Sequence, residues 1–322
     1  MTSSFKKINY ALRPGKHAAR RMLCEIFGRV HPFQPVDQYV YVGFGSVWFQ
    51  DFVLFHRYLG VQEMISIERD ATARDRIEAN KPFRTVIVHY RNASRVLPRL
   101  QWNRRHLLWL DYEDPLSSET LLDIRTVAGR ASSGTVMAVS VPCQKSREVE
   151  TAEGEPKGPS AIERFRTEFG RERVGQTVSE LDLYGWPFGA LTRSMIRAEI
   201  EAALAVRNGE SAPADAFLFR PICEIEYDDG TKMTTTVGIF YAKSDEYLVE
   251  ACGFGRLDFM PRRGRLVRIK VPKLTFREAR SLEQKLPMQT GPTLDRGPIP
   301  AAEARAFAKL YRYLPNFAVL ET

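Results

Sequence analysis

Apolar positions in the first half of the chain fall into short dense runs separated by stretches with helical spacing. The runs are YVYVG (39–43), MISIERD (64–70), TVIVHY (85–90), HLLWLDY (106–112) and TVMAVSVP (135–142). They are rich in β-branched and aromatic residues on consecutive positions, the pattern of strands buried on both faces. Between the first two, WFQDFVLFHRYLG (48–60) has apolar residues at helical spacing and a closing glycine suited to a helix C-terminus. TARDRIEANK, SRVLPRL and SSETLLDIRTVAGR open the next three connections, with Ser118 the expected N-cap of the last. Alternation of this kind predicts an α/β fold with a Rossmann-like, mostly parallel sheet.

The pattern changes after the fifth run. Residues 144–175 are polar and predict a loop excursion followed by a helix, and SMIRAEIEAALAVRNG (194–209) predicts another helix. FLFRPICEIEYDDGTKMTTTVGIFYA (217–242) is two β-rich runs around Asp228-Asp229-Gly230, a hairpin signature. The last part mixes a basic strand, RLVRIKVP, with the helical stretches TFREARSLEQKLP and PAAEARAFAKLYRYL. Upstream of the sheet, RPGKHAARRMLCEIFGRV reads as a helix, with Met22, Ile26 and Val30 four residues apart and Pro14 near its start. Three regions are therefore expected. Residues 1–36 form a basic N-terminal arm and helix. Residues 37–242 form the core, with a helical insertion at about 144–215. Residues 243–322 form a basic C-terminal accessory region.

No apolar run approaches the roughly 20 residues needed to span a bilayer, and the N-terminus lacks an apolar stretch before a cleavage site. Cys24, Cys143, Cys223 and Cys252 are scattered, with no CxxC and no histidine at ligand spacing. Neither a disulfide framework nor a metal site is expected, and a reducing cytoplasm is the expected location. The net charge of +8 is uneven. Residues 1–30 hold seven Lys/Arg against one acid, and residues 256–285 hold ten against three. Two such clusters suit a nucleic acid or another acidic partner, or simply two solvated faces. A homo-oligomer is compatible with the same features.

Candidate chemistry begins at YVYVGFGSVWFQDF (39–52). Gly43 and Gly45 follow the first strand, where a bound nucleotide needs the backbone close. A dinucleotide fingerprint would have its third glycine at Trp48, so an NAD-type oxidoreductase is disfavoured. Glu68 ends the second strand, where a carboxylate can accept both hydroxyls of a ribose. Asn92 follows the third strand and is suited to an adenine edge; Asp111 and Tyr112 end the fourth and face the same crevice.

In these motifs the chain resembles the class I S-adenosylmethionine-dependent methyltransferases. VGFGS matches the glycine-rich first motif, ISIERD the acidic second and NASRVLPRL the third, while LDYEDPL fits the fourth at the acceptor side. The 217–242 hairpin corresponds to the family's sixth and seventh strands, the seventh antiparallel. The resemblance implies S-adenosylmethionine bound by Gly43, Gly45, Ser46, Glu68, Asn92 and Ala93, with Asp111 and Tyr112 orienting or activating the acceptor. The chain departs from the family at Tyr41, where an acid is usual, at Val47, in place of the third glycine, and at Asn92, in place of an aspartate. VPCQKS (141–146) is similar to the Pro-Cys-Gln of cytosine C5-methyltransferases, but it follows the fifth strand rather than the fourth. Cys143 is therefore read as an inert thiol. His56 reads as structural, and Asp51 as a helix-end residue near the methionine end of the donor. The expectation is a methyltransferase of unspecified acceptor; the alternatives are a non-catalytic sensor and the NAD-type enzyme.

Overall fold

Side chains alternate across the first strand and sort into two apolar layers. Tyr39 and Tyr41 join one buried cluster, Val40 and Val42 the other. The same alternation runs through Leu107 and Trp109 against Leu108 and Leu110, and through Val136 and Ala138 against Met137 and Val139. A strand with both faces covered must be apolar at consecutive positions, which is why these runs lack a polar face.

The computed structural model describes residues 13–144, 158–209, 212–288 and 294–315. Its sheet consists of β1 (Val40–Gly43), β2 (Glu63–Ile67), β3 (Val86–His89), β4 (His106–Asp111), β5 (Thr135–Pro142), β6 (Phe217–Asp228), β7 (Lys232–Ala242) and β8 (Leu266–Arg268). The spatial order is β3-β2-β1-β4-β5-β7-β6-β8. The first five strands are parallel, and β7 is antiparallel to both of its neighbours. The α/β, mostly parallel sheet with an antiparallel hairpin strand is thus the observed architecture. β8, part of the stretch expected to lie in an accessory region, runs parallel to β6 at the edge of this same sheet.

The helices are α1 (Pro14–Gly28), α2 (Gln50–Leu59), α3 (Arg74–Ala79), α4 (Ala93–Val96), α5 (Ser118–Arg130), α6 (Ala161–Phe169), α7 (Gly185–Asn208), α8 (Glu246–Cys252), α9 (Phe276–Glu283) and α10 (Ala301–Leu310). α1 and α2 cover one face through Met22, Phe27, Phe52 and Phe55, while α5, α6 and α7 cover the other through Ile124, Phe165 and Ile196. Two boundaries differ from expectation. The N-cap of α5 is Ser117, whose hydroxyl accepts from the Thr120 N–H, so Ser118 is the first helical residue. α7 starts at Gly185 rather than near Ser194, because Phe188 and Thr192 are buried and extend its packed stripe. The polar segment 145–157, including Lys145 and Ser146 of VPCQKS, lies outside the described residues, as do residues 1–12 of the basic arm.

The DDG hairpin does more than reverse the chain. Asp229 accepts from the backbone N–H groups of Gly15 and Lys16, at 2.9 and 2.8 Å. Those are orphan donors of the first turn of α1, whose own N-cap residue, Arg13, provides no side-chain cap. A carboxylate brought from the β6–β7 turn therefore fixes the N-terminus of α1. Gly15 allows this close approach, since a Cβ would stand 2.8 Å from Asp229 Oδ1 and the carboxylate would have to shift.

Candidate functional site

The strand order reverses between β1 and β4, and a cavity of about 750 Å³ opens beyond the carboxyl ends of the strands at that point. Gly45, Ser46, Glu68, Asn92, Ala93, Asp111 and Tyr112 all line it. Gly43 does not. Its missing side chain makes room for the ring of Tyr41, whose hydroxyl fills the space a Cβ would need. Gly45 has a similar local reason: a Cβ would stand 2.5 Å from Ser66 Oγ, which accepts from the Gly45 N–H at 3.1 Å.

Tyr41, the departure from the family's usual acid, does not leave the site without a carboxylate. Its buried hydroxyl donates to Asp51 in the first turn of α2. Burial pushes the Asp51 carboxyl up, and the field of Arg20 works against that rise. Burial and the adjacent Asp51 charge hold the Tyr41 hydroxyl far above its ordinary range. The turn that delivers Asp51 uses left-handed backbone at two non-glycine residues, Ser46 (φ 48°) and Phe49 (φ 44°). Trp48, read from sequence as an obstacle to a dinucleotide, lines the cavity, and its buried indole N–H has no partner.

A second tyrosine–aspartate pair lies at the end of β4. The Tyr112 hydroxyl donates to Asp123 Oδ2 at 2.8 Å, and its ring meets Phe44 edge-on at 5.1 Å. Burial raises the Asp123 carboxyl to about 6, and its Oδ1 is buried without a partner. Asp111 has one oxygen, Oδ2, on Lys16 Nζ at 2.5 Å, while Oδ1 is buried and unpartnered. Glu68 accepts from the Asp70 N–H at 3.2 Å, and burial pushes its carboxyl up. Asn92 is exposed and precedes α4 without capping it by its side chain.

Sequence reasoning missed the contribution of α1. Lys16 and Arg20 point into the cavity, Lys16 onto Asp111 and Arg20 over the Trp109 ring at 5.8 Å, so two charges of the basic N-terminal cluster face inward. The available signal was the spacing of Arg13, Lys16 and Arg20, three and four residues apart, which sets one helical stripe. Asp123 had no such signal. Two readings of residues outside the binding set agree with the geometry. His56 Nδ1 bonds the Val61 carbonyl at 2.8 Å, and Cys143 is buried, its thiol pushed up to about 12 by desolvation. His89, at the end of β3, is exposed and outside the cavity.

The cavity wall carries eight carboxylates against five cations, in a chain whose net charge is +8. Four buried polar atoms on this wall lack partners: Arg20 Nε, Trp48 Nε1, Asp111 Oδ1 and Asp123 Oδ1. Buried polar groups are ordinarily satisfied, so their concentration around one cavity marks a binding site for a polar ligand with donors and acceptors of its own.

A family model described as "Putative O-methyltransferase" matches residues 8–322. Solved structures similar in arrangement include an O-methyltransferase from Bacillus cereus in complex with S-adenosylhomocysteine, at 13% identity over 72% of this chain and 82% of that one, with a TM-score of 0.37. Another is an O-methyltransferase of tomaymycin synthesis from Streptomyces achromogenes, at 11% identity over 66% and 78% of the two chains, with a TM-score of 0.34. A third is the spermidine synthase of Thermotoga maritima, at 10% identity over 71% and 60%, with a TM-score of 0.38. A search of curated proteins finds no match.

Proposed function

The chain belongs to this O-methyltransferase family and is an S-adenosylmethionine-dependent methyltransferase, and we propose that it methylates a hydroxyl group of a small molecule held against Asp111. When bound, S-adenosylmethionine supplies an electrophilic methyl group. The residues of the crevice fit it: Glu68 for the ribose hydroxyls, Asn92 and Ala93 for the adenine edge, and Gly45 and Ser46 where the loop passes closest.

The observation that carries this reading is the state of Asp111. Lys16 occupies one carboxylate oxygen, and the other is buried, unpaired and part of the cavity wall. Such an oxygen would accept a hydrogen bond from an acceptor hydroxyl, orient that hydroxyl's lone pair toward the donor and take up its proton as the methyl group passes from sulfur to oxygen, the S–C bond breaking as the O–C bond forms. Tyr112, its hydroxyl already committed to Asp123, forms a rigid wall beside the acceptor. All four cysteines are free and buried, which supports a reducing cytoplasm as the location; among the described residues no helix is long and apolar enough to cross a membrane.

Calorimetry with S-adenosylhomocysteine and NAD tests the donor site. The sulfur ligand is expected to bind and NAD not, with Glu68→Ala weakening the former ~100-fold through two lost charge-assisted hydrogen bonds. Formation of S-adenosylhomocysteine with cell extract as acceptor source separates an enzyme from a sensor. Asp111→Asn should slow it ~100-fold with donor affinity little changed; unchanged turnover would remove Asp111 from the chemistry.

A further inference from the structure

Several partly exposed arginines of this chain are matched to carboxylates: Arg104 to Glu63, Arg220 to Glu246 and Glu250, Arg312 to Asp258. The stretch FMPRRGRLVRIKVPKL (259–274) breaks that pattern. It holds six Lys/Arg and no acid, and all six are exposed. Arg268 pairs with Glu226, but Arg262, Arg263, Arg265, Lys270 and Lys273 form no ion pair among the described residues. β8 lies within this stretch as the last strand of the sheet, so its outer edge has no strand beside it. Val267 and Ile269 are buried in the core, which turns Arg268 and Lys270 to the opposite side, roughly 7 Å apart along the chain. Of the two basic clusters in the sequence, this one forms a surface, whereas Lys16 and Arg20 of the other point into the cavity.

Two other elements extend this surface. The Gly185 N–H donates to the Cys143 carbonyl at 2.7 Å and the Cys143 N–H to the Lys232 carbonyl at 2.8 Å, so the start of α7 sits beside the β6–β7 hairpin. There the Trp186 ring gathers Arg268 at 5.2 Å and Lys232 at 5.8 Å, and Tyr184 stands 41% exposed. Thr231 and Met233, on either side of Lys232, line the cavity, so the surface borders its rim. Charge on an edge strand discourages pairing with a foreign strand. That need ends with β8, which spans 3 residues, whereas the cations continue before and after it and onto the hairpin.

Unpaired cations along an extended chain, with an exposed aromatic ring beside them, complement a ligand that repeats negative charge and offers flat faces. We propose that this surface binds single-stranded nucleic acid, its phosphates lying along Arg262, Arg263, Arg265 and Lys270 and a base stacking on Tyr184. Arg268, held by Glu226 and the Trp186 ring, gives the row of cations a fixed point. A duplex keeps its base faces within its own stack, and an acidic peptide supplies the charge without the bases. The surface is separate from the donor crevice, and the assignment does not rest on the methyltransferase reading.

Fluorescence anisotropy on the full chain with a labelled oligothymidylate tests the assignment. Between 50 and 200 mM NaCl the affinity should fall ~50-fold, the response expected when about four phosphates of a single strand are neutralised. Changing Arg262, Arg263, Arg265 and Lys270 together to Gln should weaken binding ~100-fold at the lower salt and remove most of the salt dependence. An unchanged thermal midpoint of that variant reports an intact fold. Tyr184→Ala should weaken binding ~5-fold or more and leave the salt slope as it was, because stacking releases no counterions. Poly-glutamate should compete ~10-fold less well than unlabelled oligothymidylate, and so should a duplex of the same length. A wild type that leaves oligothymidylate unbound at 50 mM NaCl overturns the proposal, as does a fourfold variant that binds it as the wild type does. Equal or better competition by poly-glutamate overturns it in favour of an acidic protein partner. Equal or better competition by the duplex removes the single strand as the occupant.

Discussion

Asp123 shows how much one side chain of this site is shaped by its surroundings. It is 3% exposed, its Oδ2 accepts from Tyr112, and desolvation lifts its carboxyl from an ordinary value near 3.8 to about 6. Because the folded state holds the proton more tightly than the unfolded chain, Asp123 contributes stability below about pH 4. That contribution disappears as pH rises through 6. Asp123→Asn removes the effect. Urea titrations at pH 4 and pH 6.5 should therefore show wild type minus variant falling by about 2 kcal/mol between the two, and no change would mean that Asp123 ionises normally. At this scale the sequence disclosed identities but not environments. Glu68, Asn92 and Asp111 were legible because each stands at the end of a recognisable strand, where a crevice residue belongs. Asp51 and Asp123 stand inside helices, where a carboxylate ordinarily faces water, and only the tyrosines opposite them reveal otherwise.

Among the elements, α1 depends on a partner remote in sequence. Its stripe of Ala18, Ala19, Met22, Ile26 and Phe27 packs on the sheet, and local spacing predicted that. What fixes its N-terminus is Asp229, more than two hundred residues away, and no local pattern carries that information. Asp229→Ala should cost about 1–2 kcal/mol of stability, as loss of a helix cap does. Unlike a cap lost elsewhere, it should also weaken S-adenosylhomocysteine binding, because Lys16 and Arg20 ride on that helix. Thr275→Ala, which breaks the capping box of α9, is the control: similar hydrogen-bond loss, no change in ligand affinity. Equal behaviour of the two variants would dissociate α1 from the site. The hairpin itself was readable from DDG between two β-rich runs; that one of its aspartates serves a different element was not.

For the molecule as a whole, charge is segregated: a basic exterior surrounds a cavity rich in carboxylates. Such an interior favours a ligand carrying net positive charge. S-adenosylmethionine bears a sulfonium that S-adenosylhomocysteine lacks, so added salt should separate them. From 50 to 500 mM NaCl, affinity for the cation should fall ~3- to 10-fold and that for the neutral product less than twofold. A parallel decline would show that the carboxylates do not act as a field. The sheet, whose strands are apolar because both faces are covered, was legible almost strand by strand. The edge position of β8 was not, because it follows from tertiary neutralisation. Arg268 reaches Glu226, a buried residue of β6 that also accepts from Arg193 on α7. A basic segment read in isolation looks like a solvated face or a phosphate footprint; one of its arginines, Arg268, is instead half of an ion pair with the buried Glu226.

The pairing of Asp229 with Gly15 and Lys16 also orders events in time. During synthesis α1 emerges from the ribosome before any strand of the sheet, and the turn that holds it emerges only after six of the eight strands have been made. Closing that long loop is entropically slow compared with local contacts. The first helix translated is therefore among the last to settle. A nascent chain stalled before residue 229 should expose α1 to protease while β1 to β5 are already protected. Methyl-donor binding is expected only once the hairpin has turned.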